Sequence, residues 1–222
     1  MALQAPREEQ DMRAAGITLI VAFLATVALF AAHPAESGAT TFAEVLKNEA
    51  RDAFVDAIVH GGFIAVIAVE LVCFAIFAAR LGFLRILPLA GFIFTATGLG
   101  FIMGSMLMDG LVVPAIAQRF AGAAAQRLDM AHTLVIFCGT VIRVLLPTGM
   151  LFQAAGICAW SIALAGRPGI VRGIAVAGLL ASVLLVAAVG ASAMSPTALM
   201  VGFPVTALWA LAIGGLLATR KI

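Results

Sequence analysis

The sequence predicts an all-α integral membrane protein: six transmembrane helices, with an amphipathic outer-side helix between spans three and four, in one helical-bundle domain over residues 1–222. Three observations carry this reading. Hydrophobic residues fill 64% of the 222 positions and charged residues only 11%, against roughly 25% charged in soluble chains; one domain of this size cannot hide so much apolar surface. The apolar residues are gathered into runs of about 20, the length that crosses a hydrocarbon core about 30 Å thick at 1.5 Å per residue. The runs are long and continuous rather than ten-residue alternating segments, so their backbone groups are satisfied as helices and not as barrel strands. The same arithmetic excludes other classes. Disorder and nucleic-acid binding need many more charges, and three cysteines cannot form a paired disulfide framework.

The first run, 14–32, ends at His33-Pro34, where proline stops the helix. Glu8, Glu9 and Asp11 precede it, a composition that suits an uncleaved signal anchor better than a secretory signal. Residues 34–52 interleave Phe42, Val45 and Leu46 with Glu44, Lys47, Glu49 and Arg51, the pattern of a short amphipathic helix at the interface. The second span, 53–79, stops at Arg80, and the third covers 86–108. Over residues 109–143, Arg119, Gln126, Asp129, Thr133, Thr140 and Arg143 recur at steps of three, four or seven. That is one polar stripe on an apolar helix lying on the outer leaflet, before Pro147 and Gly149 mark the turn into the fourth span, 144–165. A competing reading makes 129–165 one long kinked helix. Spans five and six are 174–190 and 199–218. Glycines within the spans, among them Gly98, Gly100, Gly104 and Gly156, allow close helix approach.

Arginine and lysine in short loops favour the cytoplasmic side. With the N-terminus inside, Arg7, Arg13, Arg80, Arg85, Arg167, Arg172, Arg220 and Lys221 are inner, and Lys47, Arg51, Arg119, Arg127 and Arg143 are outer. The expectation is a bacterial inner-membrane protein with N- and C-termini cytoplasmic.

Charge inside a span costs at least about 2.5 to 3.5 kcal/mol, so it faces a partner or water. Glu70 lies ten positions before Arg80 and therefore near the bilayer centre. Its two readings are a neutral acid hydrogen-bonded to Thr95 or Thr97, and a proton- or cation-binding group on a transport path. In the outer half of the same span Asp52, Asp56 and His60 are spaced i, i+4, i+8 and share one face. An acid and an imidazole at i, i+4 can bind a metal ion together, with Asp109, Asp129 and His132 as further candidate ligands and His33 on the same side. The competing reading makes these interfacial residues paired with Arg119, Arg127 or Arg143. Met103, Met106, Met108 and Met130 cluster nearby, which admits copper beside zinc and iron, and His60 with His132 could hold a haem. Cys73, Cys138 and Cys158 are isolated, and Cys73 and Cys158 suit packing within spans.

These residues lead to one expected function and two alternatives. The first is a polytopic protein that binds or passes a small solute or ion through the bundle, with a polar outer mouth and Glu70 as the deep ionisable group. The second is a metal- or haem-binding redox protein or enzyme using the outer residues. The third is an accessory subunit of a membrane complex. The expected partners are the lipid bilayer and a small solute or ion, with homo-oligomers or a larger assembly open, and no nucleic acid.

Overall fold

The computed structural model describes residues 5–34, 38–193 and 195–222. These form α1 (Ala5–Ala32), α2 (Phe42–Gly82), α3 (Ile86–Leu107), α4 (Val113–Phe120), α5 (Ala125–Ala165), α6 (Ile170–Ser192) and α7 (Gly202–Ala218). A π-helical turn at Met108–Val112 joins α3 to α4, and a 3-10 segment at Pro196–Val201 leads into α7. The described residues are 89% helical and contain no strand, and among them six helical stretches are long and apolar enough to cross a membrane. It is an all-α integral membrane protein, as the composition requires.

Two stretches fold differently from the sequence reading. Residues 42–52, expected as a separate interfacial helix, are the opening turns of α2; residues 35–37 of that segment lie outside the described residues. No glycine or proline interrupts α2 before Gly61, and its start is fixed by a reciprocal cap. The Glu44 N–H donates to Thr41 Oγ1 at 3.3 Å, and the Thr41 N–H donates to the Glu44 carboxylate at 3.2 Å, a Thr-x-x-Glu capping box.

The segment 109–143 is likewise divided. Its first part extends α3 through the π turn and the amphipathic α4, which buries Pro114, Ala117 and Phe120. Its second part opens α5, which runs unbroken through Pro147 for 41 residues. The long-helix alternative is therefore the one found, starting at Ala125. Proline removes one N–H donor, but ending the helix within apolar surroundings would orphan several backbone groups. The turn between α4 and α5 carries Gly122 at φ 76°, a left-handed conformation that glycine adopts without steric cost.

The residues group into two compact units, 1–26 with 66–100 and 147–222, and 27–65 with 101–146. The first unit is centred on aromatic rings. Trp160 and Trp209 stack with centroids 5.6 Å apart and planes 4° from parallel, flanked by Phe74 and Phe77. The Trp160 indole N–H donates to the Pro88 carbonyl at 3.1 Å. Gly91 leaves the room for this ring, since a Cβ there would stand 2.5 Å from the indole. α3 and α5 also meet backbone to backbone: a Cβ at Gly98 would lie 2.6 Å from the Gly149 oxygen. Glu9 pairs with Arg220 at 2.9 Å, and Arg80 Nε donates to the Ile222 oxygen at 2.8 Å. The start of α1 and the end of α7 thus lie together, as an even number of spans demands.

The second unit has a small core of Leu46, Ala117, Phe120 and Ala131, against which Phe42, Ile116, Leu128 and Val135 pack.

Candidate metal centre

Three side chains of the second unit, His33, Asp56 and His60, place one ligand atom each within 4.8 Å of the others. Each position follows from local structure. Pro34 cannot continue α1, so the chain leaves the helix at His33, whose N–H makes a last short bond of 3.3 Å to the Phe30 carbonyl. Asp56 and His60 lie one turn apart on α2 and so share a face. The π turn supplies a fourth group, bringing the Asp109 carboxylate to 3.5 Å from His60 Nε2. Such turns inside α-helices are frequent at functional sites.

The imidazoles are oriented by the backbone. His60 Nδ1 lies 3.1 Å from the Asp56 carbonyl and His33 Nδ1 lies 3.0 Å from the Pro34 carbonyl. A carbonyl only accepts, so with neutral rings both Nδ1 atoms carry the proton and donate. His33 Nε2 is then left with a free lone pair, while His60 Nε2 faces the Asp109 carboxylate at 3.5 Å and offers its lone pair to an ion only when it carries no proton. This is the arrangement in which metal-ligating histidines are held, the second ring nitrogen fixing tautomer and rotation. The two rings stand 5.1 Å apart at 70°.

Burial divides the group. Asp56 and His60 are 8% and 6% exposed, whereas His33 is exposed and the Asp109 side chain is 56% exposed. Among the described residues no hydrogen bond is donated to the Asp56 carboxylate, and a buried carboxylate is costly without a cation or donors. Glu49, seven residues before Asp56 on α2, is half-buried and within electrostatic reach of Asp56, Asp109 and His33. A tetrahedral ion with bonds of about 2.1 Å holds its donors about 3.4 Å apart, so small side-chain rotations close the set.

Gly110 completes the site, and the sequence reading passed over it. Its Cα is so close to His60 that a Cβ would overlap the imidazole ring. Only glycine lets the π turn lie against this ring. A Met-Asp-Gly triplet carries no signal of that contact.

The other sequence candidates fall elsewhere. Asp52 is half-buried and bound to Arg51 at 2.8 Å. Asp129 is exposed, and its carbonyl accepts the Thr133 hydroxyl at 3.0 Å. His132 sits edge-on against Phe42 at 4.7 Å. Neither Asp129 nor His132 belongs to the converging set, and the ring that His60 faces is that of His33. Among the described residues Arg119, Arg127 and Arg143 form no ion pair with these acids, and Arg127 instead lies 5.4 Å over the Phe120 ring. Glu70 lies on α2 in the first unit, half-buried, with no described hydrogen bond or ion pair. Of the hydroxyls expected to satisfy it, Thr95 or Thr97, that of Thr95 is buried over Gly156 and has no hydrogen-bond partner among the described residues. The three cysteines are free.

No protein-family model, no curated protein and no solved structure matches this chain.

Proposed function

We propose that this membrane protein binds a divalent first-row transition-metal ion through His33, Asp56 and His60, with Asp109 across the open side. The observation that carries the reading is the convergence of two backbone-oriented imidazoles and a buried carboxylate within 4.8 Å. Two imidazoles and one carboxylate suit zinc, which keeps a fourth position for water in catalytic sites, and iron(II), which the same triad binds with open positions. Haem ligation by His60 and His132 gains no support, because His132 is turned onto Phe42. The test is the zinc, iron and copper content of protein purified without chelator. About one ion per chain is expected, retained in His132→Ala and lost in His33→Ala and His60→Ala. A parent that holds none and takes up none at micromolar concentration would refute the proposal.

A second reading, passage of an ion or proton, rests on Glu70, which has no described hydrogen bond within an apolar helix. Glu70→Gln keeps the shape and removes the titration. Unchanged pH-dependent conductance or uptake in reconstituted vesicles would make Glu70 structural. Both termini on the cytoplasmic side of an inner membrane is the orientation favoured by the Lys and Arg distribution. It predicts that a cysteine replacing Gly38 reacts with an impermeant reagent in intact cells while one replacing Gly169 does not; the reverse would overturn it.

A further inference from the structure

The second unit also contains a groove of about 720 Å³ between α4 and the opening of α5. Its walls follow from helical spacing. Arg127, Met130 and Leu134 recur at i, i+3, i+7 on α5, and Ala115 and Arg119 at i, i+4 on α4, with Leu111 at the end of the π turn. Because the helices are antiparallel and joined at 121–124, Arg119 and Arg127 both fall at the turn end. Leu111 and Leu134 fall at the other. The groove is therefore cationic at one end and apolar along its length, and no acid lines it. Among the described residues neither arginine has an ion pair. The Arg127 guanidinium carbon lies 5.4 Å over the Phe120 ring, a cation–π contact that holds the charge at this end of the groove.

We infer that this groove binds an anionic phospholipid from the surrounding bilayer, the phosphate between Arg119 and Arg127 and one acyl chain along Met130 and Leu134. The polarity of the groove matches that of the lipid end for end, and paired guanidinium groups recognise phosphate oxygens by charge-assisted hydrogen bonds. The inference does not depend on the metal site.

The test is retention of phosphatidylglycerol against phosphatidylcholine by the full chain in neutral detergent, read by native mass spectrometry. A preference for phosphatidylglycerol of about tenfold is expected from two arginines near an anionic headgroup, falling to about onefold in Arg119→Gln/Arg127→Gln. Leu134→Trp, which fills the apolar end and leaves the charges, should lower retention of phosphatidylglycerol. An unchanged helical circular dichroism spectrum and melting temperature in these variants shows that the chain is folded. Equal retention of the two lipids by the parent, or a preference that survives loss of both arginines, overturns the inference. So does displacement of the lipid by millimolar inorganic phosphate alone, which would make the site one for a free anion. A change from dimer to monomer on Leu134→Trp, with lipid retention unaltered, would mean that a second copy of the chain covers the groove.

Discussion

The two units solve the burial of polar groups in opposite ways. In the first, the buried side-chain polar atoms are hydroxyl, amide and indole groups carrying no charge, and the packing tolerates several of them unbonded: Thr95 Oγ1, Ser161 Oγ and Trp209 Nε1. Its order comes from shape, from ring on ring and glycine against backbone. In the second, the buried polar residues among those described are Ser105, Asp56 and His60, and the last two, which are ionisable, are gathered with further ionisable groups, His33 and Asp109. An unbonded hydroxyl costs about 1 to 3 kcal/mol and can be carried by good packing. A buried carboxylate costs far more, so its persistence calls for a counter-charge. The difference separates polar groups that packing alone accommodates from the ionisable groups on which the metal proposal rests.

The largest expected effect breaks the first unit. Gly98→Leu forces a side chain into the Gly149 and Gln153 backbone, where nothing can turn aside. A loss of about 3 kcal/mol or more is expected, visible as a sharply lowered melting temperature in detergent with little folded protein recovered. Near-parental melting would mean that α3 and α5 do not approach so closely.

Gly110→Ala acts on the second unit alone. The added methyl displaces the π turn from the His60 imidazole, moving Asp109 and tilting a ligand. Metal affinity should fall by about tenfold or more, measured by competition with a chelating dye, while the Trp160–Trp209 fluorescence of the first unit is unchanged. Parental affinity would remove the π turn from the site.

Thr95→Val sharpens the comparison from the other side. If the Thr95 hydroxyl is unbonded, replacing it by a methyl of the same shape is neutral or stabilising, by about 1 kcal/mol at most. A destabilisation of about 2 kcal/mol or more would show that this hydroxyl has a partner, with Glu70 the first to examine by Glu70→Gln in the same background.

The fold was legible where composition decides it. The six apolar runs, the stop at Pro34 and the turn before Ile86 are local properties, readable from runs of residues and from breakers. Helix continuity was not. Pro147 reads as a terminator in a soluble chain, and residues 42–52 read as an interfacial helix, because a sequence does not reveal how far a helix is carried on when apolar surroundings penalise ending it. The candidate site was legible by half. Asp56 and His60 share one helix, so their spacing announced them, and Asp109 stood at a predicted span end. The sequence could not choose between His33 and His132 as the neighbour of His60, because the choice depends on which helix end packs beside that part of α2; the ring found beside His60 is that of His33. Gly110 left no trace at all, since its role is a contact that exists only after folding.

The central claim is that His33 and His60 ligate one ion together with Asp56. X-ray absorption at the metal edge of the loaded full chain tests it most directly. The account predicts a first shell of nitrogen and oxygen at about 2.0 to 2.2 Å, with outer-shell scattering from two imidazoles that drops to one in His33→Ala and is unaltered in His132→Ala. A shell containing sulfur at about 2.3 Å, or imidazole scattering that survives His33→Ala and disappears in His132→Ala, would contradict it.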